Sequence, residues 1–448
     1  MESTRIKSDL GEMGAKIMRF FSEAEVEQVA RETKFVQRRS PLTGLRYLKA
    51  MVFGYIENPK ASLSDLAEVC ADLEVKISPQ GFDERINAAS VSFLRTIFQQ
   101  AMQVFQSQLR LVLPILEQFS GIQMVDSTIL ALPEEMQDVY PGCGGHGPAA
   151  SLKIQLVFDF LCGNLKQISL QAGRLPDQAY RDYLELVRAG SLTLVDLGYF
   201  CLDAFRAIAD RQAYFLSRYL YPTALLTPTG ERIQLVSWLR AETRARIDRP
   251  ISLGCRRHHQ IPCRLIAVQA AATVVEERRR KAIQKARLSG KVPTQEYLDL
   301  LAWSLFLTNV PQERLSLEQV LLFYRVRWQI ELIFKLWKSY CGLNAIGLWR
   351  RERILTELYA KMVGSVLFQF LIMPLRIPDE AWANRELSSV RSRLILARFA
   401  RQLNQSLFDA TVFCHTLRQM MDHFVRFGLK QKRRTRPNVC QRLAASLA

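Results

Sequence analysis

The sequence predicts an α/β protein: an α/β core with a β-rich insertion, flanked by helical N- and C-terminal regions. Three observations carry that expectation. Helical spacing of apolar residues dominates both ends of the 448-residue chain. From Gly121 the texture changes to strands, in the order strand, strand, strand, helix, strand. A 25-residue stretch, Ser316 to Tyr340, then has no Gly or Pro and reads as one amphipathic helix.

Residues 1–115 form the first region. SLSDLAEVC, from Ser62 to Cys70, opens with hydroxyl caps, and Val91 to Phe105 is apolar at helical spacing. SPQGF at 78–82 reads as a turn between them. Lys34, Arg38, Arg39, Arg46 and Lys49 make the earlier part basic, which suits either DNA contact or a solvated face.

Residues 116–350 form the second region. GIQMVDSTILAL is its first strand, AASLKIQLVFDF the second, after the loop PGCGGHGP, and LKQISLQAG the third. PDQAYRDYLELVRAG reads as a helix, SLTLVDLGYF as a fourth strand, and AYFLSR as a fifth after a helix from Leu202. About 219–302 is an interruption with β-like runs in YPTALLT, ERIQLVSWL and CRLIAVQA, followed by the charged ERRRKAIQKARLSGKV. Residues 218–303 hold 16 Lys+Arg against 7 Asp+Glu. WSLFLTNV resumes a core strand and leads through Pro311 to the long helix.

Ser316 with Gln319 has the capping-box spacing. At about 100° per residue, Tyr324, Arg327, Glu331, Lys335 and Lys338 fall within roughly 80° of arc. Phe323, Val326, Ile330, Ile333, Phe334 and Trp337 spread over the other side. One carboxylate among cations and a Tyr is an unusual solvated face, since such faces mix Glu and Lys in many pairs. Residues 351–448 continue as helices to about Gly428 and end in the cationic KQKRRTR at 430–436. That end suits either a dimerisation element with a phosphate-binding tail or a solvated terminus.

The balance of 61 Lys+Arg against 43 Asp+Glu, a formal +18, calls for a polyanionic partner. A membrane surface fits less well, because the longest apolar run, Val363 to Leu375, is short of a span and contains Gln369. MESTRIKSDLGEM lacks the apolar core of a signal peptide, and nine scattered cysteines without a CxxC pair suit reduced thiols. The expected setting is therefore cytoplasmic, on the nucleoid, with no membrane.

Tyr324, Arg327, Glu331 and Lys338 spell Y-x2-R-x3-E-x6-K. This resembles the signature of a large group of bacterial insertion-sequence DDE transposases, and the strand order resembles their RNase H-like core. The resemblance places one catalytic Asp on the first strand and another after the fourth, where Asp126 and Asp196 stand. It implies that Asp126, Asp196 and Glu331 are catalytic and hold two Mg²⁺ ions, with Mn²⁺ able to substitute. The offset of 135 positions from Asp196 to Glu331 suits the members that carry a β-rich insertion. Tyr324, Arg327, Lys335 and Lys338 would grip DNA phosphates, with Arg218 beside them. Trp303 would stack on a flipped base, or be a core residue of its strand. The implied partners are transposon inverted repeats and target DNA, with a homodimer in the paired-end complex.

The chemistry agrees with the residue types. Two hard cations activate the attacking oxygen and stabilise the leaving one, and they take oxygen ligands, so no His or Cys is needed. Asp159 and Asp203 compete for the aspartate roles but lie on the second strand and inside the following helix. Cys255, His258, His259 and Cys263 match no tight zinc spacing, and the glycines around Cys143 and His146 mark a loop. An inactive DNA-binding repressor, or a related nuclease without strand transfer, would share these features.

Overall fold

A computed structural model describes residues 4–145, 147–255, 258–347, 350–376, 386–430, 437 and 439–445. In chain order, helices α1 (Thr4–Phe20), α2 (Glu23–Glu32), α3 (Gly44–Glu57), α4 (Leu63–Asp72), α5 (Pro79–Glu84), α6 (Ala88–Val104) and α7 (Pro114–Glu117) come first. Strands β1 (Ile122–Leu132), β2 (Ala150–Asp159), β3 (Leu165–Ala172) and β4 (Leu192–Val195) follow, then α8 (Leu202–Asp210), β5 (Tyr214–Arg218) and β6 (Leu225–Leu226). Next are α9 (Leu235–Ala241), β7 (Arg246–Cys255), β8 (His258–Gln269), α10 (Ala272–Leu288), α11 (Gln295–Leu300) and β9 (Trp303–Thr308). The chain ends in α12 (Leu317–Val326), α13 (Trp328–Ser339), α14 (Arg351–Ile372), α15 (Ser389–Ser406), α16 (Ala410–Phe427) and α17 (Val439–Ala445).

These elements form two compact units that interleave along the sequence. The first comprises 1–113, 127–175 and 329–441; the second comprises 114–126, 176–328 and 442–448.

The first unit is mainly helical. Its helices begin where the chain supplies caps: Ser62 accepts from the Asp65 amide and Asp65 returns a bond to the Ser62 amide, a capping box on α4. Its centre is α14, which packs on α3 and α6 and is buried from Ile354 to Ile372. By length and composition α14 could cross a membrane, yet its apolar window lies wholly inside this unit, as a core helix does. Its polar groups are satisfied internally: Lys361 pairs with Glu357 and donates to the Gly342 carbonyl, and Gln369 donates to the Gly163 carbonyl. In the same unit β2 and β3 pair antiparallel.

The second unit is built on strands. β1 pairs parallel with β4, and β4 parallel with β5; β5, β9, β8, β7 and β6 then follow antiparallel. β1 serves both units, its residues to Asp126 in the second and from Ser127 in the first. Followed through that shared strand, the first five strands run in the order 3-2-1-4-5, the RNase H-like arrangement, and the insertion adds β6 to β8 beyond β9.

Four local expectations change. SPQGF is helix α5 and not a turn, because Pro79 sits at the first helical position and Ser78 caps it. ERIQLVSWL holds helix α9, whose buried Leu235, Val236 and Leu239 already carry helical spacing. PDQAYRDYLELV forms only two 3-10 turns, Asp177–Ala179 and Asp182–Leu186, since Gln178 is drawn to the Phe200 carbonyl and Arg181 to the Cys201 thiol. The helix expected from Ser316 to Tyr340 is two helices, interrupted at Arg327, whose own dihedrals (φ −49°, ψ −32°) stay helical. Its expected cap is present, with Ser316 and Gln319 exchanging hydrogen bonds. The basic tail at 431–436 lies outside the described residues, as does His146.

Candidate active site

The site in the second unit follows from strand register. Val125 pairs with Val195 across the parallel β1 and β4. One residue on, Asp126 and Asp196 therefore stand opposite each other on strands about 4.8 Å apart. Asp196 keeps an extended backbone (φ −84°, ψ 171°), so its side chain leaves on the same face as its neighbour's. Leu194 pairs with Leu216, which two residues on sets Asp196 beside Arg218; Arg218 in turn pairs with Phe306. Asp126, Asp196, Arg218 and Phe306 thus form one row across four strands. Both aspartates are half-buried and Arg218 is exposed.

The end of α12 covers the row. The Tyr324 hydroxyl donates to Asp196 Oδ1 (3.3 Å), and its ring meets Phe306 edge-on with centroids 5.0 Å apart. Arg327 Nη1 donates to Asp126 Oδ2 (2.8 Å), with both side chains mostly buried, and its guanidinium lies 5.6 Å from the Tyr324 ring centroid. Burial raises the Tyr324 hydroxyl well above its ordinary value; Arg327 and Arg218 pull it down and Asp196 pushes it up. The group stays a protonated donor at any physiological pH. Tyr324 and Arg327 thereby fix one oxygen of each aspartate.

The other expected residues divide. Glu331, Lys335 and Lys338 lie on α13, in the first unit. There Lys335 is exposed, Glu331 is half-buried, and burial lowers Lys338. Trp303 begins β9 opposite Gln269, is only 9% exposed, and by alternation faces away from Phe306. The structure does not bring it to the row. Asp159 caps its own turn, accepting from the Leu161 and Cys162 amides, and Asp203 sits on the first turn of α8. The side chains of Cys255, His258 and His259 lie outside the described residues, while burial pushes the Cys263 thiol up to about 12, against the thiolate that zinc requires.

One residue near the row was passed over in the sequence. Arg278 of α10 reaches β9, donating to the Leu301 and Trp303 carbonyls and to Ser304 Oγ (2.9 Å). It stands inside ERRRK, where nothing local separates it from its basic neighbours; only the fold does.

Among the described residues no group of three or more His, Cys, Asp or Glu side chains is gathered to hold a metal ion. The two adjacent carboxylates still have the right chemistry for a hard cation. Mg²⁺ is held by one or two carboxylates together with substrate phosphates and its own waters.

The family model described as Transposase DDE domain matches residues 117–367. The chain belongs to this family. It is accordingly a DDE transposase, an enzyme of DNA strand cleavage and transfer, and DDE transposases generally use divalent metal ions. The transposase of insertion sequence element IS231F from Bacillus thuringiensis subsp. israelensis is 26% identical over 396 residues, covering 83% of this chain and 82% of that protein. The transposase of IS1151 from Clostridium perfringens is 26% identical over an alignment of 454 residues, covering 94% and 93%. Among solved structures, the piggyBac transposase synaptic complex with hairpin DNA covers 91% of this transposase with a TM-score of 0.46 and 10% identity.

Proposed function

We propose that this transposase binds the inverted terminal repeats of its own element, nicks each end to free a 3′-hydroxyl, and joins that hydroxyl to target DNA. The observation that carries the reading is the register that sets Asp126 beside Asp196, with Arg327 and Tyr324 each bonded to one of them. In this reading Asp126, Asp196 and Glu331 hold the divalent cations, two Mg²⁺ or Mn²⁺ in their place. Bound there, such ions activate the attacking water or 3′-hydroxyl and neutralise charge on the phosphate.

The protein's own groups do the rest. Arg327 orients the Asp126 carboxylate and Tyr324 that of Asp196, so neither must be fixed when DNA arrives. Arg218, exposed beside Asp196 in the row, receives a phosphate oxygen next to the cut, and Lys335 and Lys338 take backbone phosphates from α13. Trp303, being buried, supports base stacking only if its ring leaves the core. A second-strand cut through a DNA hairpin, and a homodimer in which each subunit cuts the end held by the other, complete the proposal. Residues 1–115 and 351–448 serve DNA contact and dimerisation, and the setting is cytoplasmic, on the nucleoid.

The test uses duplexes bearing the element's ends, read from the DNA that flanks the gene. Mg²⁺-dependent nicking, abolished in Asp126→Ala, Asp196→Ala and Glu331→Ala, supports the reading. Binding without nicking by the intact protein makes it a repressor; nicking without joined product from precut ends makes it a nuclease.

A further inference from the structure

We infer that Arg278, on the basic helix of the insertion, is a DNA-binding residue that completes a two-guanidinium phosphate clamp with Arg218 beside Asp196. The inference rests on the function proposed above and adds a contact from the insertion to it.

Strand register carries the argument. Arg218 pairs with Phe306, and the Tyr219 amide donates to the Leu305 carbonyl (3.0 Å), so the antiparallel register continues. Ser304 is then the diagonal neighbour of Arg218, on the face that Phe306 shares, and diagonal side chains on one face lie about 7–8 Å apart. Arg278 is hydrogen-bonded to Ser304 on that face. Its guanidinium is thus tied down within reach of that of Arg218. Among the described residues neither guanidinium has a carboxylate partner, although Arg279, Arg280 and Lys281 on the same helix each have one.

Two like charges held together without an acid between them are a standing cost, and an anion removes it. Burial, and then the charge of Arg218, lowers Arg278 from its ordinary value, in keeping with a site that is electropositive by construction. The geometry also leaves donors to offer. A guanidinium has five N–H groups, and the Leu301 carbonyl, the Trp303 carbonyl and Ser304 occupy three of them. Guanidinium forks suit phosphate oxygens, which they can bind in pairs. The row supplies an oxyanion ligand next to the proposed cleavage position, and a DNA phosphodiester is the anion that the neighbouring aspartates act upon.

The contrary view is that Arg278 is only a strut between α10 and β9. Salt dependence separates the two, because each neutralised phosphate adds about 0.9 to the slope of log K against log salt. The full-length protein would be titrated with a fluorescent duplex bearing the terminal repeat across a salt series. Arg278→Gln, which keeps an amide donor for Ser304, should lower the slope by about 0.9 and weaken binding at least about threefold near physiological salt. Ser304→Ala, which loosens the strut and keeps the charge, should leave the slope unchanged. An unchanged slope in Arg278→Gln, in a protein that still binds and nicks the end, overturns the clamp and leaves the proposed function standing. A wild-type protein that binds no end DNA overturns both.

Discussion

Helix α14 of the first unit and the row of residues in the second treat buried charge in opposite ways. In the first, Lys361 and Glu357 are sealed in the core of α14, with side chains 1% and 7% exposed, and the lysine's further bond goes to a backbone carbonyl. In the second, Asp126 stands within β1, Asp196 just beyond β4 and Arg218 at the end of β5, half-buried or exposed, with the guanidinium of Arg278 bonded to Ser304 nearby. The first arrangement spends its charges on itself. The second keeps them where a phosphate or a cation can complete them. The pair on α14 is thus closed on itself, while the row keeps Arg218 exposed and both aspartates half-buried.

Substitutions can break that contrast, and the largest effect belongs to the row. Asp196→Ala should reduce end nicking by about 10³-fold or more, several kcal/mol of barrier, while thermal unfolding moves little. A large loss of melting temperature in that variant would put Asp196 with the structural charges. Lys361→Met should do the reverse. It leaves Glu357 buried without its cation and should cost about 3 kcal/mol in a denaturant melt, and the added change Glu357→Leu should recover most of it. No recovery in the double variant would mean that the pair is not closed on itself.

Lys49 sharpens the same contrast. Burial, and then the charge of Arg46, holds its ammonium down at about 7, over the Phe408 ring at 3.5 Å. Its folded value lies below its ordinary value near 10.5, so the unfolded chain binds the extra proton between those limits and stability rises with pH there. The cost of the buried charge is fully present below pH 7. Lys49→Met should therefore stabilise the protein by roughly 2 kcal/mol below pH 7, with the gain fading toward pH 10.5. A gain independent of pH would show that folding leaves the lysine's affinity for its proton unchanged, and would overturn the account of its buried charge. The smallest effect is expected at Lys335, exposed on α13: Lys335→Gln should lower the salt slope of end binding by about 0.9 with no change in melting.

Much of this was legible in the residues. β1 to β5 and β9 follow apolar runs that only strands explain, and Asp126 and Asp196 break those runs where the two strands pair. The cap at Ser316 was equally plain. What the residues did not disclose was set by distant partners. The interruption at Arg327 has no Gly or Pro to announce it. It falls where the guanidinium reaches across 201 residues to Asp126, and the boundary between the units follows directly after Trp328. The missing helix at 176–187 is a tertiary override, with Gln178 and Arg181 held by the segment after Asp196. α9 is different: its helical spacing was present, and the β-rich surroundings obscured it.

Gly342 extends the contrast to heat. It follows α13 at φ +71°, and a methyl group there would lie 2.7 Å from Pro59 Cβ and 2.8 Å from its carbonyl oxygen. The same residue offers the carbonyl that Lys361 holds. Alanine at 342 would add backbone strain and a clash beside the helix that carries Glu331, without removing any group from the row. A Gly342→Ala protein should therefore keep its end-nicking rate in the cold and lose it on warming well before the parent does, a temperature-sensitive enzyme with every group of the row intact.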